Sequence, residues 1–433
     1  MEISYLTDAA SSRLLLIYAG WSTDASAFAS LTCPGYDIAV AWNYSELTAP
    51  ALKRNYDEVV LIAWSLGVKA AELTAGALPL TLTMAVNGTP TPVSDVAGIP
   101  EAIYRATADE LTEQSLAKFR RRMGASGLPR GARTVESLRN ELLAFPTGGP
   151  APFRWDRAVI SDNDRIFPPA NQETAWNGRT EIVRIPGPHM PDFQNLIDRF
   201  VIDKSLVSCR FAKGRRTYND AADVQHRIAD HLFALWQKHG ITARSVIEIG
   251  VGNGYFTDLY APALKDSELT LWDIAPARPG VVGVDAECAL PQLDAKVDAI
   301  VSASTMQWFN SAGAFLDAAA RALNPGGLAV LSTFGPQTFN ELTRAGVVPL
   351  PYLSAESLRR IAGSGFDILE CHEGLIKKLF DTPLDVFAHM KATGVNARRS
   401  TLPLRSLLDA YPRRDDGRCS LTYQPVYLIL RKK

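Results

Sequence analysis

A strand-then-helix pattern begins twice along this chain, and that double start constrains its fold more than any other feature. Short runs of apolar, β-rich residues alternate with segments of helical periodicity, the signature of βαβ units and a mainly parallel sheet. The first series opens with Leu14-Leu15-Leu16-Ile17-Tyr18 and closes with a helix near residues 192–202. The second opens with a helix near 221–238 and the strand Ser245-Val246-Ile247-Glu248-Ile249. Between them, 204–214 is polar and basic in places and lacks strong periodicity. The expectation is two α/β domains, 1–205 and 206–433. A length of 433 residues suits two domains better than one, and 47% hydrophobic residues allow each a core. Residues 101–145 interrupt the first series. They read as helical and carry Arg120, Arg121, Arg122, Arg130, Arg133 and Arg139, which suggests an inserted helical cap.

Charge and cysteine usage narrow the class. A formal net charge of -1 provides no global field for holding nucleic acid by its phosphates. The five cysteines, Cys33, Cys209, Cys288, Cys371 and Cys419, are scattered and form no C-x-x-C pair. That spacing fits neither a disulfide framework nor a structural zinc site, so no metal is expected and a reducing cytoplasm is the natural home. Met1-Glu2-Ile3-Ser4 lacks a basic n-region and an apolar h-region, so no signal peptide is expected. No run of about 18 apolar residues occurs, so no membrane span is expected either.

In the first series, Val59 to Trp64 reads as a strand, Ser65 as a tight turn and Gly67 to Leu73 as a helix. A nucleophile at such a turn has a strained backbone, and its neighbours two residues away must be small. Ala63 and Gly67 meet that need, although glycine is usual at both places. A serine hydroxyl needs a base. His189 is the one histidine of the first 205 residues. The chain order Ser, Asp, His places the acid between them. Asp164, after the strand Ala158-Val159-Ile160, is the choice, and Asp162 is the runner-up. The N–H groups of Trp21 and Leu66 are placed to form an oxyanion hole. Together these features predict a serine-dependent α/β-hydrolase with a helical cap. The arginines of the cap fit either a solvated helix face or a partner-binding surface.

In the second series, the strand before Gly250 ends in Glu248-Ile249-Gly250-Val251-Gly252-Asn253-Gly254. The glycines let the backbone pass close to a cofactor. A nicotinamide fingerprint would demand glycine at 255, where Tyr255 stands. Glu248 can orient the loop or meet the amino-acid part of S-adenosylmethionine. Asp273, at the next strand tip, can take both ribose hydroxyls, and Asp285 is placed for the adenine amino group. The strand Val297 to Ser302 and the turn Asn324-Pro325-Gly326-Gly327 complete a Rossmann-like class I methyltransferase that uses S-adenosyl-L-methionine.

These motifs carry two resemblances. Tyr18-Ala19-Gly20-Trp21, Ala63-Trp64-Ser65-Leu66-Gly67 and Asp164-Arg165-Ile166-Phe167-Pro168 resemble the BioG-type pimeloyl-acyl-carrier-protein methyl ester esterases of biotin synthesis. Thr217 to Gln225, Met306-Gln307-Trp308-Phe309, Ser332-Thr333-Phe334, Met390 to Asn396 and Leu421-Thr422-Tyr423 resemble the BioC-type malonyl-acyl-carrier-protein O-methyltransferases. The second resemblance implies methylation of the free malonyl carboxyl. The first implies cleavage of the ester once the chain has reached the pimeloyl stage, with Ser65 attacking, His189 moving the proton and Asp164 orienting His189. Tyr218, Gln307 and Trp308 are then substrate-side candidates, with core packing as the alternative. Arg398 and Arg399 are candidates for the malonyl carboxylate. The acyl carrier protein is acidic, which would give Arg120, Arg121 and Arg122 a docking role. The alternatives are a methyltransferase joined to a hydrolase of unrelated substrate, or to a noncatalytic carrier-docking module.

Overall fold

In the computed structural model, residues 1–129, 131–215, 217–395 and 402–433 are described. The chain separates into two compact units, Met1–Val201 and Ile202–Lys433. Among the described residues, no helix is long and apolar enough to cross a membrane.

The first unit is built on seven strands: β1 (Glu2–Thr7), β2 (Arg13–Tyr18), β3 (Asp37–Trp42), β4 (Glu58–Trp64), β5 (Leu80–Val86), β6 (Arg157–Ser161) and β7 (Glu181–Ile185). They lie in the order β1-β3-β2-β4-β5-β6-β7, and only β1 is antiparallel to its neighbour. Leu14 to Tyr18 and Val59 to Trp64 are fully buried. Helices cover both faces of a parallel sheet, so central strands carry unbroken apolar runs. The helices are α1 (Gly67–Thr74), α2 (Glu101–Asp109), α3 (Glu113–Met123), α4 (Val135–Ala144), α5 (Pro169–Trp176) and α6 (Phe193–Phe200). Helices α2 to α4 are all inserted between β5 and β6. In α6, Phe193, Leu196, Ile197 and Phe200 form the buried stripe, and the Asp192 side chain caps the first turn by accepting the Asn195 N–H at 3.0 Å. The chain runs from β2 to one side and from β4 to the other. The crevice beyond their carboxyl ends is thus a topological switch point, where ligands of open α/β sheets bind.

The second unit begins with α7 (Lys204–Gly214), α8 (Tyr218–Ala221) and α9 (Asp223–Lys238). Helix α7 is the segment whose sequence lacks periodicity. Its reasons are tertiary: Asp203 caps it through the Leu206 N–H at 2.9 Å, and it buries Lys204, Val207 and Gly214. The strands that follow are β8 (Ser245–Ile249), β9 (Glu268–Asp273), β10 (Val281–Gly283), β11 (Val297–Ser302), β12 (Leu323–Phe334), β13 (Phe366–Glu373), β14 (Ile376–Phe380), β15 (Cys419–Tyr423) and β16 (Pro425–Lys432). The main sheet has the order β10-β9-β8-β11-β12-β16-β13, with β16 antiparallel to both neighbours. Strands β14 and β15 form a separate pair. The Asn324-Pro325-Gly326-Gly327 turn is a bulge within β12: Val297 pairs with Leu323 and Ala299 with Leu328, and Gly326 has φ +75°. Here the switch point lies between β8 and β11. Helix α10 (Tyr255–Tyr260) follows the glycine loop after β8, and α11 (Ala286–Ala289) follows β10.

Candidate functional sites

In the first unit, sterics build the turn after β4. Ser65 has φ +60°, the left-handed region. A Cβ at position 67 would lie 2.5 Å from the Tyr18 carbonyl oxygen, and one at position 88 would lie 2.3 Å from the Ser65 carbonyl oxygen. Glycine is required at both. Ala63 is fully buried in β4 without forcing the strands apart. Ser65 lines a pocket with about 600 Å³ of empty space, partly open to solvent. Trp21, Leu66 and cap residues Ile103, Tyr104, Phe119 and Leu142 share that lining. Neither the Trp21 nor the Leu66 backbone N–H meets an acceptor among the described residues. The Trp21 ring is fixed by its Nε1–H, which donates to the Leu138 carbonyl at 3.0 Å, and by edge contact with Phe119.

Asp164 and His189 are brought together, with Nδ1 to Oδ2 at 2.9 Å and both side chains fully buried. Asp164 also accepts the N–H groups of Ile166 (2.8 Å) and Phe167 (3.0 Å) and the Gln172 side-chain amide (2.9 Å). Its oxygens face donors only, which suits an ionised carboxylate. Asp162 is half-exposed and pairs with Arg184 at 3.2 Å instead. Among the described residues, the buried His189 Nε2 has no hydrogen-bond partner, and no hydrogen bond joins it to Ser65. Such bonds are often long before substrate binds. The His189 carbonyl accepts Trp64 Nε1–H (2.8 Å) and the Asn87 amide (2.7 Å), and Phe167 stacks on the imidazole. Sequence reasoning missed Trp64, Asn87 and Gln172. The Asn87-Gly88 pair at the end of β5 was the available signal.

In the second unit, a pocket with about 930 Å³ of empty space, part of it open to solvent, lies at the switch point. That is the size class of small-molecule sites. Gly250, Gly252, Asp273, Asp285, Tyr218 and Trp308 line it. Gly250 must be glycine, because a Cβ there would lie 1.9 Å from Thr305 Oγ1. Gly252 has φ +57° and open space where a side chain would be, so a ligand can approach its backbone. Asp273 holds the loop by accepting the Gly252 N–H at 2.8 Å and the Ala275 N–H at 2.7 Å. The Tyr218 hydroxyl is pushed up to about 12 by burial and then by the Asp273 charge, so it stays protonated as a donor.

Three expected contacts fall elsewhere. Glu248 does not line the pocket. It is buried beneath the loop, where Thr257 and Tyr260 donate to it at 2.6 and 2.8 Å. Burial pushes its carboxyl up to about 7 against those hydrogen bonds. Both donors lie on α10, so Glu248 ties that helix to the end of β8. Gly254 starts α10 at φ +89°, packed by Arg278, and is also absent from the lining. The Gln307 amide donates to the Ser304 carbonyl at 2.6 Å and does not face the pocket. Arg398 and Arg399 lie outside the described residues, as does Arg130. Lys204, which the sequence assigned to the boundary, lines the pocket. Its ammonium donates to the Trp308 carbonyl at 2.8 Å and pairs with Glu287 at 2.5 Å. Asp285 lies 3.7 Å away.

Both units of the chain are similar to known proteins. Residues 1–200 match the family model described as pimeloyl-ACP methyl esterase BioG, and residues 221–370 match a methyltransferase domain. A malonyl-acyl-carrier-protein O-methyltransferase of Bacteroides fragilis is 33% identical over 456 residues, covering 97% of this chain and 93% of that protein. One from Bacteroides thetaiotaomicron is 32% identical over 262 residues, 54% of this chain and 99% of that protein. Among solved structures, BioG from Haemophilus influenzae is 31% identical, covers 44% of this chain and 94% of its own, and superposes with a TM-score of 0.40.

Proposed function

The chain belongs to the malonyl-acyl-carrier-protein O-methyltransferase family, in a form that carries a BioG domain ahead of its Rossmann-like methyltransferase, and on that premise we propose that it carries out two steps of biotin-precursor synthesis on acyl groups borne by acyl carrier protein. The second unit methylates the free carboxyl of the malonyl group. The first unit is an α/β-hydrolase that later cleaves the methyl ester at the pimeloyl stage and releases methanol.

S-adenosyl-L-methionine supplies an electrophilic methyl group when bound. The residues present fit it: Gly252 leaves backbone approach open, and Asp273 stands at the strand tip where ribose hydroxyls are recognised. A malonyl carboxyl is ionised near neutral pH, so the site needs no general base. Its task is to hold the carboxylate in line and exclude water. Trp308 and Phe309 supply an apolar wall. In the first unit, His189 takes the Ser65 proton through Nε2, Asp164 holds the tautomer through Nδ1, and the Trp21 and Leu66 N–H groups receive the oxyanion. The observation that carries the hydrolytic reading is the Asp164–His189 pair, whose remaining ring nitrogen is buried and has no partner among the described residues.

The test uses the intact chain. With S-adenosylmethionine and malonyl-carrier protein, mass spectrometry is expected to show one added methyl group. With pimeloyl-carrier methyl ester, methanol release is expected. Failure of the first reaction refutes the malonyl assignment, and failure of the second refutes the esterase assignment.

Carrier docking narrows to fewer arginines than the sequence suggested. The Arg120 guanidinium donates to the carbonyls of Ser22, Leu128 and Pro129 at 2.8 to 3.1 Å, so it serves the cap itself. Arg121 and Arg122 are exposed, and Arg122 also reaches the Ser65 pocket. Arg121→Glu should therefore raise KM for carrier-linked ester on the order of tenfold and leave a small soluble ester unaffected. Added salt should reproduce the effect in the unsubstituted protein. Equal losses on both substrates would show damage to the cap.

A further inference from the structure

Ser304 follows the carboxyl end of β11, across the switch point from the glycine loop. Its backbone stands at φ +56°, a left-handed conformation that serine adopts uncommonly. Neighbours hold it there. Its N–H donates to the Ser332 carbonyl at 3.1 Å and to Ser332 Oγ at 3.0 Å. Its carbonyl accepts the Gln307 amide, whose own oxygen accepts Thr333 Oγ1–H at 3.4 Å. A strained residue fixed by this many contacts is a pattern that concentrates at functional sites.

The conformation places one group in particular. Ser304 lines the cofactor pocket, and its Oγ is buried with no hydrogen-bond partner among the described residues. Buried hydroxyls without partners are rare in folded proteins, because the lost hydration goes uncompensated. Asp273, which also lines the pocket, already accepts loop N–H groups. A hydroxyl donor gains most from an anionic acceptor. On the methyltransferase reading above, two carboxylates enter this pocket: that of the cofactor's methionine moiety and that of the acyl acceptor.

We propose that Ser304 is a ligand-binding residue whose hydroxyl donates to a carboxylate oxygen in the methyl-transfer pocket, and that Gln307 and Ser332 are positioning residues that hold it in the left-handed conformation. Gln307 then serves the site from behind the lining. The sequence signal was present in the Ala303-Ser304-Thr305 segment, but backbone sign is not readable from residue type.

Two variants test this. Ser304→Gly removes the hydroxyl while suiting the backbone. Ser304→Asn tolerates left-handed φ and restores a donor. The measurements are the Kd of S-adenosylhomocysteine by calorimetry, KM for malonyl-carrier protein at saturating S-adenosylmethionine, and the melting temperature. Ser304→Gly should melt no lower than the unsubstituted protein and weaken one of the two constants by about tenfold, the scale of one hydrogen bond to a charged group. A higher Kd assigns the hydroxyl to the cofactor carboxylate. A higher KM with unchanged Kd assigns it to the acceptor. Ser304→Asn should recover part of the loss. If both constants of folded Ser304→Gly stay within about twofold of the original, the proposal is overturned. Calorimetry needs no acyl substrate, so a wrong malonyl assignment is distinguishable from a wrong role for Ser304.

Discussion

Ester cleavage should fall by roughly four to six orders of magnitude in kcat when His189 is replaced by alanine, with methyl transfer unchanged. Ser65→Ala should lose as much, and the double variant little more, because the two act as a unit. Asp164→Asn should cost on the order of ten thousandfold, and the geometry explains why. All four groups bonded to the Asp164 carboxylate are donors. An asparagine must turn its NH2 toward one pair of them, Ile166 with Phe167 or Gln172 with His189. If it faces His189, the imidazole takes the tautomer with Nε2 protonated, which cannot accept the Ser65 proton. Asp162→Asn removes only an exposed pair with Arg184 and should be nearly neutral. The measurement is steady-state methanol release for the five variants, with melting temperatures to confirm folding. A larger loss in Asp162→Asn than in Asp164→Asn would move the acid to Asp162.

The second large effect is discrimination by acyl length. On the proposed function, two opposed activities on one chain are useful only if the esterase spares the malonyl ester until elongation is complete. The pocket beside Ser65 can supply that choice, since Ile99, Pro100, Ile103, Tyr104, Phe119 and Leu142 make an apolar lining drawn largely from the inserted helices. A pimeloyl chain has four more methylenes than a malonyl one. At about 0.8 kcal/mol per buried methylene this is about 3 kcal/mol, on the order of a hundredfold in kcat/KM. Competing the two carrier-linked methyl esters against the intact chain reads the ratio directly. A ratio near one would refute selection by this pocket. Ile103→Asp and Phe119→Ala should each narrow the ratio by lowering turnover of the longer ester alone.

What was legible in the sequence was mostly local. The unbroken apolar runs of β2 and β4 and the small residues around Ser65 answer to sterics within a few residues, and so were readable. The glycine loop was readable for the same reason. Less visible were side chains whose direction is decided far along the chain. Glu248 turns toward α10 because Thr257 and Tyr260 there offer donors. Arg120 is engaged by carbonyls of two loops, one of them 98 residues away. Helix α7 has no sequence period to reveal it, since its place is set by Lys204 reaching Trp308, 104 residues on. Asn87 was not singled out, because its role is set by distant partners: it joins the ends of β5 and β6 to the His189 loop through Ser161 and the His189 carbonyl.

The position of β16 has a consequence for how the chain is made. Pro425–Lys432 is the final strand in sequence, yet it stands between β12 and β13. A ribosome adds about 5–20 residues per second, so synthesis of the second unit takes roughly 10 to 50 s. The first unit has every strand of its sheet from residue 185 onward and can fold during that interval. The second cannot join β13 to its sheet until residues 425–432 have been made. Through that time β12 has an unpaired edge, a template for association between nascent chains. Loss of residues 425–432 would therefore be more damaging than their number suggests.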